Sequence, residues 1–115
     1  IYGLYSSLDI YVLPTIFDPG EFVSVIEAWA AGAAVIASST YGSKYLIKDG
    51  HTGLHVDPLD YMELAEKISC LIENKKKRLE LARNGMKEAR KRTWERLSAF
   101  IEKSFEDTLK KYRSP

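Results

Sequence analysis

At 115 residues, 45% of them hydrophobic and 29% charged, the chain holds apolar matter for one packed domain, not two, and too much to remain disordered. Its longest apolar run, Ala28 to Ala37, has ten residues including a glycine, well short of the ~20 that a membrane-spanning helix needs. The formal net charge is +1, and a single cysteine, Cys70, excludes an internal disulfide framework and argues against a zinc module, which points to an intracellular chain.

The chain opens on Ile1-Tyr2-Gly3, with neither a methionine nor a signal-peptide pattern, and reads as a piece of something longer. Ile10-Tyr11-Val12-Leu13, closed by Pro14, reads as a buried strand. Thr15 to Glu21 is a loop with the turn formers Pro19 and Gly20. A helix is expected from about Phe22 to Ala31, with Val23, Ile26 and Ala30 on one stripe and Gly32 at its C-cap. Ala34 to Ala37 is a second buried strand, and Ser38, Ser39 and Thr40 suit either a phosphate or ordinary strand-end turns.

A short helical turn follows at Tyr45 to Lys48, then a tight Asp49-Gly50 turn and a third strand over Thr52 to Val56. Asp60 suits an N-cap for a helix whose stripe is Tyr61, Leu64, Ala65, Ile68, Leu71 and Ile72. A basic helix spans about Lys75 to Arg92, with a possible break at Asn84-Gly85. Thr93 is placed as the cap of a last helix striped by Trp94, Leu97, Ile101, Phe105, Leu109 and Tyr112.

Apolar strands alternating with helices imply an α/β fold: a partial, Rossmann-like doubly wound parallel sheet of about three strands, helices on both faces and a long helical C-terminal tail. A doubly wound sheet of about six strands would have these as its second half, and the strand at 10–13 would then present an apolar edge through which the isolated chain self-associates. Charge is uneven. Residues 1–60 carry two basic against seven acidic side chains, and residues 61–115 carry fifteen against nine. That asymmetry fits a basic arm for nucleic acid or a membrane surface. Interleaving with glutamates at helical spacing favours plain helix surface and no nucleic-acid partner.

In open α/β sheets ligands bind beyond the carboxyl ends of the strands, which here means Pro14 to Glu27. Gly20 permits close backbone approach, and the amides of Phe22, Val23 and Ser24 open a helix whose positive end favours phosphate. Glu27, one turn in, has the acceptor chemistry for a sugar's vicinal hydroxyls, and Asp18 and Glu21 add acceptors at the loop. Acidic residues at a helix start also serve its dipole, and both readings stand on spacing alone. His51 and His55 straddle a turn and a strand and read as surface residues; Cys70, beside an apolar stripe, reads as a buried structural thiol. Trp29 packs either under the Thr15–Glu21 loop or towards a further domain, and Tyr41 is either a pocket or a loop aromatic.

Five stretches together carry a family resemblance. Asp9 to Thr15, Glu27-Ala28-Trp29-Ala30-Ala31-Gly32 with Val35 to Ser38, Asp49 to Pro58, the helix from Asp60, and Thr93-Trp94-Glu95 resemble, in order and spacing, the C-terminal domain of GT-B retaining glycosyltransferases, the glycosyl transferases group 1 family. The resemblance implies that residues 1–115 are a fragment of the nucleotide-sugar (donor) binding domain, half of a GT-B C-terminal domain, with 94–112 its closing helix. It implies a parent enzyme, a hexosyltransferase, that moves a sugar from a nucleotide diphosphate sugar to an acceptor hydroxyl with retention and no essential cofactor or metal.

The family's second acidic residue, which contacts the ribose, falls on Glu27. The first, which contacts the transferred sugar, falls on Asp18 when counted from Pro14, with Glu21 as rival, because Pro19 stands eight residues before Glu27. The diphosphate backbone maps onto Gly20, Glu21, Phe22, Val23 and Ser24, with Phe22 where glycine is usual; Lys44 and Tyr45 replace a usual proline and glutamate. The basic residues that neutralise the leaving group and the acceptor domain lie upstream in the family. The resemblance thus implies an isolated fragment that is inactive and a cytoplasmic parent, either free or at the membrane surface. Those departures leave a catalytically degenerate binding or interaction module as the alternative.

Overall fold

The computed structural model describes residues 7–14, 22–92 and 94–113. In order along the chain lie β1 (Ile10–Leu13), α1 (Phe22–Ala30), β2 (Ala34–Ser38), α2 (Tyr41–Leu46), β3 (Leu54–Val56), α3 (Tyr61–Glu73), α4 (Lys75–Lys91) and α5 (Trp94–Arg113). The three strands form one sheet in the order β1-β2-β3, parallel throughout, with Tyr11 opposite Val35 and Ile36 opposite Leu54. This is the α/β architecture the strand–helix alternation predicts.

Because strand side chains alternate between faces, β2 feeds two cores at once. Val35 and Ala37 join Val25, Ala28, Trp29, Leu46, Ile47 and Ala89 on one face, while Ala34 and Ile36 join Val56, Leu71 and Leu81 on the other. All five β2 residues are buried, as a central strand apolar on both sides requires. β1 is at one edge of the sheet among the described residues, and its four residues are half-buried.

α1 ends in a Schellman motif. Ala33 N–H donates to Ala28 O and Gly32 N–H to Trp29 O, each at 3.0 Å, and Gly32 takes φ +85°, a conformation cheap only for glycine. Its core-facing residues are Val25, Ala28 and Trp29; Val23 is 57% exposed, Ala30 is exposed and Ile26 is half-buried. The Val23-Ile26-Ala30 stripe is therefore not the core face. Seven of the nine α1 residues are apolar, so periodicity does not single out a side; the buried Trp29 sets it.

α2 starts four residues before the predicted turn because Thr40 caps it. Thr40 Oγ1 accepts from Ser43 N–H at 3.4 Å while Ser43 Oγ accepts from Thr40 N–H at 2.9 Å. α3 is capped as predicted, with Asp60 Oδ1 accepting from Glu63 N–H at 2.9 Å. Only Leu64, Ile68 and Leu71 of its stripe pack inwards; Tyr61 and Ile72 are 74% and 61% exposed. Cys70 is exposed, which overturns the buried-thiol expectation: at about 100° per residue it is turned well away from Leu71 around the helix. Native protein is accordingly expected to react with a thiol reagent at the rate of a free thiol; labelling only after denaturation would contradict this placement.

α4 is unbroken through Asn84-Gly85. Gly85 lets Trp29 approach the helix: a Cβ there would lie 2.3 Å from Trp29 Cδ1. Leu81 and Ala89 of α4 belong to opposite cores, so the helix spans both layers of the fold. α5 is a separate amphipathic helix with Phe105 and Leu109 exposed at 67% and 42%. Thr93 lies outside the described residues. No described helix is long and apolar enough to cross a membrane.

Candidate functional site

The carboxyl ends of the three strands are tied together by hydroxyls and main chain. Ser38 Oγ donates to Leu13 O at the end of β1 at 3.4 Å, and Ser39 N–H donates to Val56 O at the end of β3 at 2.7 Å. Ser43 is buried and donates through Oγ to Ser38 O. The Ser38 hydroxyl thus ties β2 to the end of β1 and the Ser43 hydroxyl holds the β2–α2 turn, the strand-end role. Ser43 escaped the sequence reading because a serine, not Glu or Gln, closes the Thr40 capping box; the T-x-x-S spacing was its one signal.

β1 ends at Leu13, so α1 opens from this same end of the sheet. The first-turn amides of a helix are not used by the helix itself and carry its positive end. Phe22 and Val23 supply them here, and no acidic residue occupies that turn to claim the positive end. Val23 is exposed, Ser24 half-buried, and Glu27 exposed on the face opposite Val25 and Trp29. Val23, Glu27 and Ala30 share that outward face at i, i+4 and i+7, so the carboxylate stands clear of the core.

Asp18, Gly20 and Glu21 lie outside the described residues, as does the side chain of Phe22, so of the expected donor contacts the structure brings Val23, Ser24 and Glu27 onto one helix. The Tyr41 side chain is likewise outside them; Lys44 and Tyr45, next along α2, are both exposed, Tyr45 by 87%.

Behind the site, Trp29 settles on packing. It is fully buried, and Nε1 donates to Thr52 O at 3.0 Å; Thr52 Oγ1 in turn accepts from Lys48 N–H at 2.9 Å. His55 Nε2 lies 3.2 Å from Ser43 O and His51 Nδ1 lies 3.4 Å from Asn84 Nδ2, so each ring has a structural neighbour.

Residues 1–88 match the model of the family described as glycosyl transferases group 1. Over 89 residues the chain is 39% identical to an N,N'-diacetylbacillosaminyl-diphospho-undecaprenol alpha-1,3-N-acetylgalactosaminyltransferase of Campylobacter jejuni, covering 77% of this chain and 23% of that protein. Among solved structures, a sucrose-phosphate synthase from Thermosynechococcus elongatus superimposes with a TM-score of 0.84 at 28% identity, covering 92% of this chain and 27% of that one. The C-terminal domain of a glycosyl transferase group 1 family protein from Francisella tularensis gives 0.70 at 31% identity, over 76% of this chain and 45% of that one. The chain thus spans about a quarter of the full-length proteins it resembles. With more than three quarters of its length inside the family model, and a fold that superimposes on the solved relatives, the chain belongs to the glycosyl transferases group 1 family.

Proposed function

We propose that this chain is the donor-side portion of a longer glycosyltransferase and binds a nucleotide diphosphate sugar at the start of α1. The observation that carries this reading is Glu27, exposed on the helix that leaves the carboxyl end of β1. Its carboxylate accepts hydrogen bonds from the ribose hydroxyls. The Gly20–Val23 backbone, which runs into the first turn of α1, and Ser24 hold the diphosphate, and Asp18, with Glu21 as rival, holds the sugar. Transfer breaks the bond between the anomeric carbon and the diphosphate oxygen and forms one to an acceptor hydroxyl, which gives up its proton; the nucleotide diphosphate leaves. We assign retention of configuration and no essential metal to the parent enzyme. The acceptor domain and the cations that steady the leaving group belong to the rest of that protein, so the 115 residues alone do not catalyse. The exposed Phe105 and Leu109 of α5 fit a helix that closes against that further domain.

Lys44 and Tyr45 favour one second reading, a module that keeps the fold without catalysis. The test is calorimetric titration of the full-length protein with UDP, GDP and ADP. Saturable binding with one base preferred is expected. A folded protein that binds none of the three sinks the donor assignment and leaves the second reading.

A further inference from the structure

α4 carries eight basic and two acidic residues. Three of the cations are committed within the molecule: Lys77 Nζ to Gly50 O at 3.3 Å, Arg78 Nη1 to Leu71 O at 2.9 Å, and Lys91 Nζ to Glu88 Oε1 at 3.4 Å. Lys76, Arg83, Lys87 and Arg90 are different. Each is exposed, and none is in an ion pair with a carboxylate of the described residues. Their separations of seven, four and three residues fall on one face of a helix with ~3.6 residues per turn, a row about 21 Å long. They line one groove together, with Glu80 as its acidic member.

A helix built only for its own stability pairs such cations one turn away, as α3 does with Glu63 and Lys67 at 3.2 Å. On α4 Glu80 stands one turn from both Lys76 and Arg83 yet is in an ion pair with neither, and the residue one turn after Arg83 is Lys87, a like charge that weakens the helix. The row is therefore best accounted for by an anion outside the protein. Its flank is apolar: Leu79 is 39% exposed and Met86 half-buried. No aromatic residue stands in α4 to stack on a base. Cations on a straight face beside aliphatic side chains suit headgroup phosphates over acyl chains.

The position of α4 supports this. Asn84 Nδ2 donates to His51 O at 2.8 Å, Lys77 reaches Gly50, and Met86 lies by Gly32, so the helix runs past the segments that enter β2 and β3. That is the end of the sheet away from the start of α1.

We propose that the Lys76-Arg83-Lys87-Arg90 face of α4 docks the protein on an anionic bilayer, leaving the donor site open to soluble nucleotide. The inference goes beyond the donor reading and does not depend on it. Flotation of the full-length protein is compared on vesicles of pure phosphatidylcholine and of phosphatidylcholine mixed with phosphatidylglycerol. Binding is expected to the mixed vesicles only, and to fall steeply with added salt. At about fivefold per cation, changing all four residues to glutamine should lower partition several hundredfold, while Glu80→Lys, which adds a cation and removes an anion, should raise it at least about fivefold. Equal binding to neutral vesicles, no response to either variant, or preference for a DNA duplex over the anionic vesicles overturns the proposal. Donor titration of the same variants is a separate readout: vesicle binding without donor binding would fell the donor assignment and leave the docking face standing.

Discussion

Replacing Glu27 by alanine in the full-length protein is expected to weaken donor binding at least about a hundredfold and to leave the melting temperature unchanged. A hydrogen bond to a charged acceptor contributes roughly 1.5–3 kcal/mol, so losing two to the ribose removes ~3 kcal/mol or more. Each 1.4 kcal/mol is about tenfold in affinity. The folded chain itself loses little. The carboxylate is exposed, and no partner holds it among the described residues, which places the change with surface substitutions worth about 0.5 kcal/mol or less. Glu27→Gln keeps the shape and removes the charge, so it should fall between wild type and alanine. Isothermal titration beside a calorimetric melt reads both quantities. Unchanged donor affinity in the alanine variant would remove Glu27 from the site, whereas lost affinity with a lowered melting temperature would make it a scaffold residue. Turnover measured beside the same titration on Asp18→Ala and Glu21→Ala separates the two candidates: the acid that contacts the sugar in the proposed reading is expected to lower kcat far more than it weakens nucleotide binding.

The strands were legible because their apolar residues come in short β-branched runs bounded by proline and glycine, and β2 is buried on both sides as such a run demands. Asp60 and Gly32 announced a helix start and a helix end through local chemistry, and both hold. What local pattern did not carry was the direction in which a mostly apolar helix turns. On α1 the sequence offers several stripes, and the choice fell to Trp29, whose buried indole needs a carbonyl partner in Thr52, a residue 23 positions away. Cys70 and Ile72 went the same way. α3 packs on one side only, so its inward stripe narrows to Leu64, Ile68 and Leu71 and the flanking positions face outwards. Gly85, which reads as a break in isolation, is the place where α4 makes room for a side chain from α1. Glu27 was singled out by spacing and resemblance, and the structure places it exposed on α1. The Thr40–Ser43 box was not singled out, because its closing residue is a serine.

Gly85→Ala is expected to destabilise the protein by about 1–2 kcal/mol net, the reverse of what helix propensity predicts. In a helix interior, alanine is favoured over glycine by roughly 1 kcal/mol. Against that, the new Cβ would lie 2.3 Å from Trp29 Cδ1, 2.7 Å from Nε1 and 2.8 Å from Cγ, distances at which one group has to move. The indole has nowhere to retreat. It is fully buried, its Nε1 is tied to Thr52 O, and Thr52 is itself 2% exposed and held by Lys48 N–H. Overpacking of this kind typically costs about 1–3 kcal/mol and occasionally more, so the steric term wins. At ~4 °C per kcal/mol for a domain of this size, the melting temperature should drop by about 4–8 °C. Trp29→Phe, which removes the pyrrole ring beside Gly85, is expected to destabilise alone and to recover part of the loss when combined with Gly85→Ala, a non-additivity that marks direct contact. A Gly85→Ala protein that melts at or above wild type would mean that α4 slides freely over α1. The consequence reaches the site, because Trp29 stands two residues after Glu27 on the same helix. An indole pushed off Gly85 carries Glu27 with it, so Gly85→Ala should lower both the melting temperature and the donor affinity, whereas Glu27→Ala lowers the affinity alone.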